Sequence, residues 1–108
     1  MDIKRFQRKG SEVGNVRKLV LDVLKPHTPA ILELAEKLSA LKRVKGVSIF
    51  LTEVDQDTEK VKVVIEGESL SYNKIVDVIE QCGGAIHSVD AVFAGETIVH
   101  EVETPQDK

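Results

Sequence analysis

Two periods alternate along this chain. Over VRKLVLDVL (16–24) the side chains change face at every second position. Leu19, Leu21 and Val23 share one face of a pleat, and Val20, Asp22 and Leu24 share the other, which is therefore not purely polar. From Ile31 the period lengthens. Ile31, Leu34, Ala35, Leu38 and Leu41 form one helical stripe, with Glu33, Glu36, Lys37 and Lys42 off it. Thr28 and Pro29 stand just before that stripe. A threonine N-cap followed by proline is a helix start signal, because the first helical position needs no N–H donor. On this reading Thr28→Ala costs about 1 kcal/mol. VSIFLTEV (47–54) alternates again, Asp55-Gln56-Asp57-Thr58 is a polar turn, and KVKVVIEG (60–67) returns as the second arm of a hairpin. A second helix starts near Ser71, with Leu70 and Ile75 placed as a hydrophobic staple. Its stripe is Ile75, Val78, Ile79 and Cys82, and Gly83-Gly84 ends it. AIHSVDAVF (85–93) and TIVHEV (97–102) are two further strands on either side of the turn Ala94-Gly95-Glu96.

The predicted order is β-α-β-β-α-β with an extra C-terminal strand. It specifies an α+β, ferredoxin-like βαββαβ sandwich: an antiparallel sheet with both helices on one face. Right-handed crossovers put the first strand beside the third at the centre. Residues 1–14 read as a flexible basic arm, 15–102 as a single domain, and 103–108 as a polar tail.

Composition narrows the setting. At 108 residues the chain is one domain in size. No apolar run approaches the ~18 residues of a membrane span, so no membrane partner is expected. MDIKRFQRKG lacks the apolar stretch of a secretory signal. Cys82 is the sole cysteine, which rules out a disulfide within the chain and a multi-cysteine metal centre. A cytoplasmic location is expected. Charge is uneven: residues 1–18 carry a net +4 and the rest a net −7, within a total of −3. A basic arm on an acidic body is one route to nucleic acid.

Three segments look familiar. LVLDVLKPHTPAILELAEKLSAL, GVSIFLTEVDQDTEKVKVVIEG, and GGAIHSVDAVFAG with IVHEV resemble the archaeal domain-of-unknown-function family 211 over about residues 15–102. LDVLKPH and GG-IHSVD are the most specific pieces. The resemblance implies a ferredoxin-like fold, self-association into a ring-like oligomer, an archaeal cytoplasmic setting and a bound divalent cation. It implies no defined biochemical activity.

Several positions are candidates for chemistry. The corner Lys25-Pro26-His27-Thr28-Pro29 has no thiol, so soft-metal transport is excluded. Acylphosphatase-like enzymes use an Arg in this loop, which is also missing. Lys25 and His27 are positioned to contact an anion at the helix N-terminus, although turn architecture accounts for the corner more simply. Asp22 lies among apolar strand residues and needs a partner or water. Asp90, on the neighbouring strand, is the second carboxylate of a candidate hard-cation site for Ca²⁺ or Mg²⁺, although a solvated or salt-bridged acid at a subunit contact accounts for the pair more simply. His87 joins them only if a bulge breaks the strand's parity. Asp55 and Asp57, with Glu59, form a competing site, although DQDTEK lacks the glycine and final glutamate of an EF-hand loop. Cys82 reads as core, and His100 as exposed. Val20, Leu24, Phe50 and Val64, with Val54, leave the outer sheet face partly apolar, which marks an interface. The central strands offer no aromatic platform for RNA, so nucleic acid is disfavoured. The expectation is a non-enzymatic homo-oligomer that requires no cofactor and holds a small ligand or divalent cation at its junctions. A purely structural ring, and nucleic-acid binding through the basic arm, are the alternatives.

Overall fold

The computed structural model describes residues 14–96. The elements are β1 (Val16–Pro26), α1 (Ile31–Ser39), β2 (Val44–Val54), β3 (Thr58–Gly67), α2 (Tyr72–Gln81) and β4 (Ala85–Ala94). The sheet order is β2-β3-β1-β4 and every neighbouring pair is antiparallel. This is the ferredoxin-like arrangement, with β1 and β3 at the centre. The expected strand at 97–102, the arm and the tail lie outside the described residues, apart from Gly14.

Alternation in the central strands builds the core. Leu19, Leu21 and Val23 of β1 face Ile65, Val63 and Val61 of β3. All six are buried, together with Leu34 and Leu38 of α1 and Ile75 and Ile79 of α2. The helices lie against this one face because each buries a single apolar stripe on it. Gly67 ends β3 where a Cβ would collide with the Arg43 carbonyl oxygen. Gly83, with φ +81°, supplies the left-handed residue that stops α2.

The helix starts differ from each other. Ser71 caps α2: its Oγ accepts from the Lys74 N–H at 3.3 Å. Thr28 does not cap α1. The N-cap is Ala30, in extended geometry with no side-chain cap, and the helix begins one residue later, at Ile31. The corner is instead tied to the start of β3 and to the turn before it through Lys25 and His27, and residues 27–30 belong to neither β1 nor α1. β2 also starts earlier than its alternation suggests. It opens at Val44, and Gly46 lies inside it beside a register shift.

A second irregularity moves an expected interface residue. The β2/β3 register slips between Leu51 and Glu53, so Val54 pairs with Glu59 rather than with an outward position. Glu59 shares the parity of Val61 and Val63, so Val54 lies on the helix side of the sheet, not on the outer face.

These caps generate a paired prediction. Ser71→Ala is expected to cost about 1 kcal/mol, whereas Thr28→Ala stays within about 0.5 kcal/mol. Urea unfolding of both variants checks this, and an equal loss in the two would restore Thr28 as a cap.

Candidate functional site

The inner face of β1 continues past Val23 to Lys25, and that of β3 past Val61 to Glu59. The register sets these two residues directly opposite each other. A lysine at a core position must keep a partner, because an unpaired buried ammonium is costly. Lys25 is 1% exposed. Its Nζ donates to Glu59 Oε1 at 3.1 Å and to the Pro26 carbonyl at 2.8 Å.

His27 completes the cluster from the adjoining corner. Its Nδ1 lies 3.1 Å from Glu59 Oε2, and its Nε2 lies 2.9 Å from the Gln56 carbonyl oxygen. Both ring nitrogens therefore face acceptors, an arrangement only the doubly protonated imidazolium satisfies. The hydrogen bond to Glu59 is the main cause holding the His27 pKa above its ordinary 6.5, with the Gln56 carbonyl adding to it. Reciprocally, the His27 bond holds Glu59 below the ordinary carboxylate value of 4.5.

Lys25 and His27 were the expected anion ligands. The anion they hold is Glu59, from the same chain. Lys25 Nζ is out of solvent, and both nitrogens of His27 are occupied. Glu59, which the sequence pattern groups with Asp55 and Asp57 as a competing cation site, is instead the partner of Lys25 and His27. Parity carries the signal: an inward lysine after three inward aliphatics demands a partner on the next strand.

The acidic candidates lie on the opposite, outer face. Asp22 pairs in register with Lys62 of β3 and Ser88 of β4. Lys62 Nζ reaches across β1 to Asp90 Oδ2 at 2.8 Å, and Ser88 Oγ donates to Asp90 Oδ1 at 2.7 Å. The Lys62 bond is the largest influence holding Asp90 below the usual carboxylate range, and Asp90 in turn raises Lys62, with Asp22 adding to that effect. Two register shifts in the β1/β4 pairing skip Asp90 and His87. The strand thus has the bulges needed to break parity, and His87 acts on Asp90 through its charge. The positive charge between Asp22 and Asp90 is the Lys62 ammonium. Among the described residues no three His, Cys, Asp or Glu side chains converge as a metal site. Asp55 and Asp57 are exposed on the hairpin turn, where the Asp55 N–H donates to the Thr58 carbonyl at 2.8 Å.

The outer face also carries the expected apolar residues. Val20 and Val64 are directly opposed and half-buried, while Leu24 and Phe50 are exposed, Phe50 by 56%. Cys82 is in the core. Lys18, counted with the basic arm by charge, belongs to β1. It pairs with Glu66 at 3.6 Å and lies 5.1 Å from the Phe93 ring centre. Among the described residues no helix is long and apolar enough to cross a membrane.

The ion cluster makes its own prediction. Glu59→Ala leaves Lys25 buried without its carboxylate and is expected to cost about 3 kcal/mol or more. Lys25→Met keeps the aliphatic stem and costs less. Chemical denaturation ranks the two, and a Glu59→Ala loss below that of Lys25→Met would contradict the assignment.

The DUF211 family model, described as Uncharacterized ArCR, matches residues 17–108. The uncharacterized protein MJ0319 of Methanocaldococcus jannaschii is 49% identical over 96 residues, which span 89% of this chain and 99% of that protein. The family match takes in all of β1 from Arg17, both helices and the remaining strands, and the chain belongs to the DUF211 family.

Proposed function

We propose that the protein is a non-enzymatic, self-associating module that holds a small ligand or divalent cation where its copies meet. The carrying observation is the placement of its exposed apolar side chains. On the outer face, Val20 opposes Val64, while Leu24 is exposed on the far side of the Asp22–Lys62 pair and Phe50 is exposed beside it. Beside β2, Leu32 is 70% exposed, next to a hollow of about 320 Å³ lined by Ile31, Leu32, Ala35 and Ile49. Beside β4, Tyr72, Val89 and Val92 line another hollow, of about 390 Å³, together with Val16, Leu19 and Leu70. β2 and β4 are the two edges of the described sheet. Apolar surface at opposite edges suits head-to-tail association, which closes into a ring when the rotation permits.

The non-enzymatic part of the reading is supported by how the reactive groups are used. Cys82 is core, Lys25 is ion-paired out of solvent, and His27 has both nitrogens engaged. The cation part rests on Asp22 and Asp90, which already flank one positive charge, that of Lys62. Ca²⁺ or Mg²⁺ at that place competes with the ammonium and completes its shell with water or a neighbouring copy's oxygens.

Sedimentation at micromolar concentration is expected to show an oligomer that Phe50→Glu disrupts, since an unpaired carboxylate is costly to bury in an interface. A monomeric wild type would end the self-association reading. Calorimetric titration tests the cation separately. Lys62→Met is expected to bind Ca²⁺ or Mg²⁺ more tightly than wild type, and Asp22→Asn more weakly. Non-saturable heats in all three proteins would remove the cation.

A further inference from the structure

We propose that His27 and Glu59 form a pH-gated latch that fastens the β2–β3 turn to the end of β1. The latch concerns the hairpin tip and does not depend on the self-association reading. It spans three segments: the corner after β1 supplies His27, the start of β3 supplies Glu59, and the turn supplies the Gln56 carbonyl. The only covalent link between the turn and the corner runs through all of α1 and β2, so the imidazole is a cross-link between segments far apart in sequence.

Its two bonds have a strict proton requirement. An imidazolium donates from both nitrogens and satisfies a carboxylate and a carbonyl together. A neutral imidazole has one N–H. Whichever acceptor keeps that proton, the other then faces a ring lone pair across about 3 Å. Loss of one proton therefore replaces an attraction with a repulsion. The ring side chain is 41% exposed, so the proton exchanges directly with bulk water.

The groups facing His27 are few. Glu59 from β3 is the charge that favours its proton, and the turn contributes the Gln56 carbonyl and the backbone of Asp55. Lys25 from β1 shares Glu59 and is held by it whether or not His27 is charged. Opening the latch therefore frees the turn while the Lys25–Glu59 tie keeps the strands in register.

The direction of the pH dependence follows from linkage. His27 has a raised pKa in the folded state, so its contribution is complete below about 6.5, the unfolded value, and is lost as pH rises through the folded value. Glu59 has a lowered pKa, so its contribution is present above about 4.5 and is lost as pH falls through its folded value. The latch is closed between these two limits.

The test uses the full chain. Ring nitrogen NMR of His27 is recorded across the mildly acidic to alkaline range, alongside hydrogen exchange of the Asp55 amide, corrected for intrinsic rate. That amide donates to Thr58 and closes the turn. Asp55 protection is expected to fall several-fold with the same midpoint as the ring titration. In His27→Gln, protection is expected to be insensitive to pH over that range, and in Glu59→Gln the ring is expected to titrate lower than in wild type. A wild-type ring titrating at or below 6.5, or an Asp55 profile identical in wild type and His27→Gln, would overturn the latch.

Discussion

Between β1 and β3, Leu19 faces Ile65, Leu21 faces Val63 and Val23 faces Val61, with all six side chains buried. A slip of one residue in β1 would turn Val20, Asp22 and Leu24 inward and push three aliphatics into water, at about 1.5–3 kcal/mol for each side chain. The register is therefore strongly specified. Once it is, Lys25 must stand opposite Glu59, at the place where the dry face meets the open end of the sheet. The ion pair is a consequence of that register as well as a support for it. A buried ion pair is weak evidence for stability on its own, because desolvation offsets much of the attraction. Its effect here is to reject alternatives: a shift by two residues keeps the faces but leaves the Lys25 ammonium inside without Glu59, and a shift by one turns Asp22 inward instead.

The same register divides the sheet into two chemically different faces. On the helix side, charge appears only where the apolar ladder ends. On the outer side, Lys62 crosses β1 to Asp90, and Asp22 lies beneath it. Val20 and Val64 lie beside that charged group, and Phe50 is opposite Lys62. The bulges that skip His87 and Asp90 interrupt β4, and irregular strand edges resist indiscriminate pairing.

Much of this architecture was legible in the sequence. Period two in 16–24 and 60–67 and period 3.6 in the helices set the element order, and matched apolar faces set the central pairing. Asp22 and Asp90 were expected to approach one another; Lys62, which bonds Asp90 and feels the charge of Asp22, was not named as their partner. Thr28 was misread because capping chemistry is local, while the corner around it is bonded to Glu59, more than thirty residues away. Val54 was misread for a related reason: a bulge is a backbone event, and nothing in the alternation of LTEV announces it. The role of Glu59 was hidden because an acidic residue near two aspartates reads as a further cation ligand. Extending the 19/65, 21/63, 23/61 ladder by one more step would have exposed it.

A double-mutant cycle of Lys25→Met and Glu59→Gln, measured by equilibrium unfolding near neutral pH, tests most directly whether the corner is held by its own carboxylate. Contacting charged residues in one network couple by about 0.5–3 kcal/mol. The buried pair described here requires a favourable coupling in the upper part of that range. A coupling indistinguishable from zero would mean that the two side chains do not depend on each other, and would contradict the account of the corner as an internal ion cluster.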